Sequence, residues 1–163
     1  MELRTLVESD YEELAKQANN WNIAENLTDM FPHPYTEDDA KNFLKDAAGN
    51  PEFRAITYEG RFAGVISATK GGKNEDHEAG LGYWLGEEFW GKGLMSKAVS
   101  NFVDEYLTEN PDIMRLQAKV YPHNPGSARV LEKNGFQYEG TRRFGTKQRG
   151  RYLDEWVYSY IRE

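Results

Sequence analysis

The residues best suited to chemistry lie in one run, residues 82–98, in which an aromatic strand ends at Gly86 and a periodic helix follows. The step Gly91-Lys92-Gly93 opens directly into that helix. Glycines at such a junction let several backbone N–H groups converge, and the N-terminus of the helix adds positive potential. The run therefore predicts a site that binds a phosphate or pyrophosphate group through the main chain.

Two nucleotide-binding motifs do not fit this run. Gly86, Gly91 and Lys92 have the spacing that opens a P-loop, but Gly93 stands where that motif needs a Ser or Thr to bind magnesium. The dinucleotide fingerprint needs a third glycine where Ser96 stands, and no βαβ repeat surrounds the run. The sequence therefore indicates a different phosphorylated ligand.

The run resembles motif A of the GNAT superfamily of acyl-CoA N-acyltransferases, in which Gln/Arg-x-x-Gly-x-Gly/Ala wraps the coenzyme A pyrophosphate. The corresponding residues here are 90–95, and Trp90 and Met95 depart from the family pattern. Residues 32–40 and 124–136 are similar to the acceptor-side loop and to the Asn-x-x-Ser-x-Arg-Val-Leu-Glu-Lys-x-Gly-Phe segment of the ribosomal-protein N-terminal acetyltransferase branch. With the opening residues 3–10, the resemblance covers nearly the whole chain.

The resemblance implies that acetyl-CoA is the acyl donor and lies between two parallel strands that separate, residues 79–85 and 115–121. The coenzyme-binding residues that it implies are Tyr83, Trp84, Leu85, Trp90, Gly91, Lys92, Gly93, Leu94, Met95, Ser96, Asn124 and Ser127. For Tyr83 and Trp84 the alternative is ordinary strand core. For Lys92 it is a solvated lysine, and for Asn124 it is a helix cap.

Direct acetyl transfer to an amine needs two proton transfers, because the acceptor ammonium must lose a proton and the departing sulfur must gain one. The chain has no cysteine, which excludes a cysteine acyl-enzyme. The resemblance implies Ser127 as the group that protonates the sulfur, because the matching serine of the branch lies near it; the alternative is a serine that satisfies helix N–H groups. Glu78 is our first candidate for the base and Glu25 the next, whereas His33 and His77 are interpreted as exposed loop histidines.

Composition sets the remaining bounds. At 163 residues, with 39% hydrophobic residues, the chain is expected to form one domain over residues 1–163. A net charge of −7 argues against a nucleic-acid surface, and three scattered histidines indicate no metal site. No apolar run of about 18 residues exists, and no signal peptide is recognised. We therefore expect a cytoplasmic protein without a membrane partner, either a monomer or a homodimer.

The pattern of elements is that of an α/β or α+β protein. A capping box at Ser9-x-x-Glu12 is predicted to open the first helix and Thr36-x-x-Asp39 the next, while Glu59-Gly60 predicts a tight hairpin. Strands are expected at residues 3–7, and at 138–143 and 152–161 as a C-terminal hairpin. The resemblance implies the GNAT fold, a central mixed and mostly antiparallel sheet of six or seven strands flanked by helices.

The sequence therefore predicts an acetyl-CoA-dependent N-acetyltransferase. It would move the acetyl group directly, within a ternary complex, to a primary amine of a protein N-terminus or a small molecule. The alternative is a GNAT-fold module that binds acyl-CoA as a sensor or interaction unit without efficient transfer. The departures at Trp90 and Met95 keep that alternative open.

Overall fold

A computed structural model describes residues 1–163, and one seven-stranded mixed sheet organises them. The strands are β1 (Glu2–Arg4), β2 (Phe53–Tyr58), β3 (Arg61–Lys70), β4 (Glu78–Leu85), β5 (Arg115–Val120), β6 (Gln137–Gln148) and β7 (Arg151–Ile161). Their order across the sheet is β1-β2-β3-β4-β5-β7-β6. Only β4 and β5 run parallel as neighbours, since all other pairs are antiparallel. The predicted mixed, mostly antiparallel sheet is confirmed.

Helices cover both faces of the sheet. They are α1 (Tyr11–Ala18), α2 (Trp21–Ala24), α3 (Glu37–Ala47), α4 (Leu94–Glu109) and α5 (Pro125–Lys133). On one face, Leu14 of α1 and Leu44 of α3 are buried with Val65 of β3. On the other face, Phe102 of α4 and Leu131 of α5 belong to the larger core cluster. The result is a three-layer α/β arrangement, as the predicted fold class requires.

The two predicted helix starts have different outcomes. Thr36 and Asp39 form the expected capping box, in which the Thr36 hydroxyl accepts from the Asp39 N–H and the Asp39 carboxylate accepts from the Thr36 N–H. The box predicted at Ser9 is wrong. Asp10 instead accepts from the Val7 N–H and from the Arg4 guanidinium, and α1 begins one residue later. The ion pair with Arg4 fixes the buried Asp10 carboxylate at this turn.

The hairpins follow the backbone preferences of their turn residues. Glu59 and Gly60 both have positive φ, 51° and 77°, as a two-residue hairpin of the right twist needs. The C-terminal hairpin is longer than predicted, because β6 continues to Gln148. A register shift between Arg142 and Thr146 interrupts the alternation of its side chains. None of the helices has the length and apolar character needed to cross a membrane.

Candidate active site

A cleft opens where β4 and β5 separate. The two strands pair only from Glu78 to Gly80, opposite Arg115 to Gln117. Beyond that point β4 continues to follow β3 as far as Leu85, whereas β5 follows β7 as far as Val120. The space between them has a volume of about 640 Å³. It is lined by the first turns of α4 and α5 and by residues 22–27, in and after α2. Backbone groups of β4 facing this space therefore have no strand partner.

The turn before α4, residues 91–96, is a candidate anion site at one end of the cleft. Gly91 and Gly93 have φ of 75° and 72°, in the left-handed region that favours glycine. None of the N–H groups of residues 91–96 donates a hydrogen bond within the protein, and no side chain caps the helix. A Cβ added at either glycine would meet only open space. This end of the cleft therefore offers a set of unpaired donors at a helix N-terminus.

Trp90, one of the departures from the family motif, has a structural role in this turn. Its indole Nε1 donates to the Leu85 carbonyl oxygen at 2.8 Å, which ties the turn back to the end of β4. The Leu85 carbonyl is therefore already engaged. Lys92 points its ammonium group to the Glu88 carbonyl and does not line the cleft, whereas every other predicted coenzyme-binding residue does.

Ser127 and Tyr83 meet in the middle of the cleft. The Ser127 hydroxyl, in the first turn of α5, and the Tyr83 hydroxyl, on β4, share a hydrogen bond of 2.7 Å. Burial raises the pKa of Tyr83 to about 12, and the bond to Ser127 opposes part of that rise. The Tyr83 hydroxyl therefore stays protonated over the physiological pH range.

Trp84 and Asn124 line the cleft in different ways. The Trp84 ring lies on the opposite face of the sheet, at 5.7 Å from the ring of Phe31 and 6.1 Å from that of Phe62. Its side chain is partly buried against the core cluster on that face. Asn124 is the N-cap residue of α5, but its side chain makes no capping hydrogen bond. The amide is therefore free to bind a ligand.

Glu78 lies apart from the other candidate residues. Its carboxylate forms an ion pair of 2.9 Å with Arg115, whose guanidinium also binds Glu139. It belongs to the paired end of the strands, five residues or roughly 17 Å of extended chain before Tyr83, and it does not line the cleft. The structure therefore places Glu78 outside the cleft, so it is not positioned for the role of base predicted from the sequence.

The other end of the cleft is formed by the α2 segment, defined as residues 20–27. The carboxylate of Glu87, in the turn after β4, accepts from the side chains of Asn20 (2.7 Å) and Asn22 (2.9 Å). These two hydrogen bonds lower the pKa of Glu87. The fully buried Gln148, at the end of β6, donates to the backbone carbonyls of Glu25 and Leu27. The segment is thus held by two distant parts of the chain.

Sequence reasoning missed two residues at this end. His123 lines the cleft, and its Nε2 lies 2.9 Å from the Glu25 backbone oxygen. His123 directly precedes Asn124, the first residue of the segment 124–136 that resembles the family, and this position could have indicated it as a site residue. Gln148 gave no signal, because a glutamine in a polar hairpin ordinarily faces solvent. The structure has no cluster of three or more side chains arranged to hold a metal ion.

Comparisons with known proteins agree with this geometry. The family model for the acetyltransferase (GNAT) domain matches residues 1–137, and the chain belongs to this family. An uncharacterised N-acetyltransferase, p20 of Bacillus licheniformis, is 38% identical over 88 residues, 54% of this chain and 49% of that one. The [ribosomal protein uS5]-alanine N-acetyltransferase of Escherichia coli is 33% identical over 91 residues, 56% of this chain and 43% of that one. The matched part spans about half the length of these curated relatives.

Solved structures extend the likeness over the whole chain. RimL, a ribosomal L7/L12 alpha-N-protein acetyltransferase in complex with coenzyme A, has a TM-score of 0.82 at 25% identity, covering 98% of this chain and 92% of that one. A GNAT-family acetyltransferase from Bacillus anthracis has a TM-score of 0.85 at 22% identity, covering 98% and 93%. The second comparison supports the fold alone.

Proposed function

We propose that this protein is an acetyl-CoA-dependent N-acetyltransferase that transfers the acetyl group directly to a primary amine within a ternary complex. One observation carries the proposal: a single cleft joins the unpaired N–H groups of residues 91–96 to the Ser127–Tyr83 pair. The first part suits a pyrophosphate, and the second suits a leaving thiolate. Membership of the GNAT family supports the same reaction.

Three features of the cleft fit coenzyme A. The anion site at residues 91–96 would bind the pyrophosphate through its N–H groups. The unpaired side of β4 would accept the pantetheine arm much as a sheet edge accepts an added strand. The free amide of Asn124 would bind an amide of that arm. A freed N–H of β4 near the thioester would polarise its carbonyl, a contribution of about 10²–10³ in rate for one such donor.

Ser127 would give its proton to the sulfur as the bond between the acetyl carbon and sulfur breaks. Tyr83, hydrogen-bonded to Ser127, would in turn donate to the serine oxygen. The acceptor nitrogen loses two protons in all, one before it attacks and one after. The second replaces the proton that Ser127 and Tyr83 have supplied, so the site returns to its starting state.

We propose a protein N-terminal amine as the acceptor. The Escherichia coli relatives are named for alanine of ribosomal protein uS5 and for a ribosomal-protein serine, which supports this class over small amines. Glu25 is the one carboxylate that lines the cleft, and it would attract an ammonium group. A ribosomal acceptor would place the reaction in the cytoplasm.

The acyl-CoA sensor is a weaker proposal. The departure at Trp90 has a structural reason, since its indole holds the turn that carries the anion site. A sensor also has no need for a hydroxyl pair beside the thioester. Both observations favour catalysis over binding alone.

The test is amine-dependent release of coenzyme A thiol from acetyl-CoA, with peptides that begin with Ala or Ser, matched peptides with blocked N-termini, and small amines. The Ser127→Ala variant should lose about 10²-fold or more in kcat while its coenzyme affinity stays unchanged. Ser100→Ala, at an exposed position of α4, is the matched control. Thiol release that no amine stimulates would contradict the proposed function, and full activity of Ser127→Ala would contradict the role of Ser127.

A further inference from the structure

The reaction needs a group that takes a proton from the acceptor ammonium, and few residues of the cleft qualify. Of the side chains that line it, only Glu25 and His123 carry a carboxylate or an imidazole, the groups that most often act as general bases. The other titratable groups there are Tyr83, Lys119 and Lys133. Tyr83 stays protonated, as its pKa is about 12. The choice therefore falls between one carboxylate and one imidazole.

The contact between His123 and the α2 segment determines which nitrogen of the ring is open. Its Nε2 lies 2.9 Å from the backbone oxygen of Glu25. A carbonyl oxygen can only accept a hydrogen bond, so Nε2 must carry the hydrogen. In the neutral ring, Nδ1 then has a free lone pair. The backbone of the acceptor-side segment thus holds the imidazole in the tautomer that a base requires.

The position of His123 suits a base. It follows the end of β5 and precedes Asn124 and Ser127, which both line the cleft. Its contact with the Glu25 backbone oxygen places it beside the α2 segment. The residue is also exposed, so that a proton taken from the acceptor can pass to water.

We propose that His123 is the general base that removes a proton from the acceptor ammonium through Nδ1. This inference rests on the proposed function and names a residue for its missing step. The ammonium transfers one proton to Nδ1, and the free amine attacks the acetyl carbon. The bond to sulfur breaks, and the proton on Nδ1 leaves to solvent. Glu25 has a separate task, since its negative charge attracts the ammonium toward the imidazole.

The charges around His123 come from three directions. Glu25 lies on the α2 segment and contacts the ring through its backbone oxygen. Lys119 lies on the preceding strand, and Lys133 lines the cleft from the end of α5. The Tyr121 ring lies 5.5 Å from the imidazole, centroid to centroid.

The experiment compares the pH dependence of kcat/KM for the wild type, His123→Gln and His77→Gln with one N-terminal peptide. Glutamine keeps an N–H donor for the Glu25 carbonyl but cannot act as a base. The wild-type kcat/KM should rise with pH on an acid limb that depends on His123. In His123→Gln the midpoint should move toward the acceptor's own amine, about 7.7–8.0 for a peptide. His77, in an exposed turn outside the cleft, should have the wild-type profile.

The size of the loss should also depend on pH. At pH well below the acceptor pKa we expect His123→Gln to lose about 10²-fold in kcat/KM, and the loss should shrink above the acceptor pKa, where the amine is already neutral. Added imidazole should partly restore His123→Ala. A merely structural role would lower activity equally at every pH, without rescue, and that result would overturn the assignment.

Two further results separate the possible failures. Coenzyme titration of each variant shows whether the fold and the anion site survive, because neither depends on His123. If the wild type turns over but His123→Gln keeps the wild-type pH profile, the base assignment is wrong and the proposed function stands. If the wild type releases no thiol with any amine, both proposals fail. Glu25→Gln should raise the acceptor KM and keep the wild-type rise of kcat/KM with pH. Loss of that rise in Glu25→Gln would assign the general base to Glu25 instead of His123.

Discussion

The two ends of the cleft are built in different ways. The coenzyme end is one continuous stretch, residues 91–96, whose backbone conformation supplies the donors. The acceptor end is assembled from side chains and backbone carbonyls of the α2 segment, His123 and Gln148. Gln148 lies more than a hundred residues after the α2 segment in the sequence. The first end depends on local φ angles, and the second depends on tertiary contacts. Changes at each end should therefore affect different constants.

Gly93→Val should give the largest effect, and it should be confined to the coenzyme end. A left-handed residue other than glycine costs roughly 2 kcal/mol, so the free turn of Gly93→Val should relax to another conformation. Binding must then restore the left-handed turn, and that cost corresponds to about 30-fold weaker coenzyme binding. A Cβ there also projects into the space that the phosphates would occupy. Isothermal titration with coenzyme A measures this change. Gly72→Val, in an exposed turn without positive φ, is the control, and equal losses in both variants would refute the explanation.

Tyr83→Phe tests the buried middle of the cleft through the pH dependence of stability. The pKa of Tyr83 is about 12 in the folded protein, and an unfolded tyrosine loses its proton near 10. Between these values the unfolded chain binds fewer protons, so the free energy of unfolding should fall as pH rises. Tyr35, also near 12, contributes in the same direction.

Replacing Tyr83 by Phe should remove its share of that fall, about 2 kcal/mol between pH 10 and 12. Urea unfolding at a series of pH values measures it. The exposed Tyr152→Phe should leave the slope unchanged. A Tyr83→Phe variant with the wild-type slope would mean that the hydroxyl is solvated rather than buried.

Gln148→Ala should act on the acceptor end and leave the coenzyme end intact. Loss of its two hydrogen bonds leaves the Leu27 carbonyl without its donor and should reduce stability by about 1–3 kcal/mol. The α2 segment would lose its position, and we expect the acceptor KM to rise about tenfold, the equivalent of ~1.4 kcal/mol. Steady-state kinetics with both substrates varied separates the two constants. Gln137→Ala, exposed on the same strand, is the control. A rise in the coenzyme KM without a rise in the acceptor KM would contradict the separation of the cleft into two independent ends.

Glu87→Gln should have the smallest effect, because Glu87 connects the two ends at the surface. Its carboxylate holds Asn20 and Asn22 from the turn that precedes the anion site. A neutral amide binds these groups less strongly, so the acceptor KM should rise a few-fold at low salt. The effect should diminish with added salt. Glu105→Gln, exposed on α4, controls for the change in net charge. A larger effect on coenzyme affinity than on the acceptor KM would contradict a role in holding the α2 segment.

The same difference explains how much could be predicted from the sequence. The Gly91-Lys92-Gly93 step and the Thr36 capping box carry their conformation in a few adjacent residues, and both local structures could be predicted from the sequence. Glu78 was placed from its position before a strand, which does not reveal that Arg115 pairs with it where β4 and β5 are still joined.

Other details depend on contacts between distant residues and left no local pattern. Asp10 replaces Ser9 at the start of α1 because Arg4 binds its carboxylate. The bulge near Phe144, which has a φ of 47°, breaks the alternation that would have revealed the full length of β6. The bond between Tyr83 and Ser127 joins β4 to α5 across the cleft. Neither side chain by itself indicates the other.

The most direct test of an acyl-CoA cleft is a thermal-shift titration with acetyl-CoA, coenzyme A and ATP in parallel. ATP offers an adenine nucleotide and phosphates but no pantetheine arm, so it reports on the anion site alone. Both forms of the coenzyme should stabilise the protein, by ~2.7 kcal/mol at 100 times the dissociation constant, and ATP should give little or no shift. No shift with either coenzyme form, or an equal shift with ATP, would contradict a cleft that binds the coenzyme along its length.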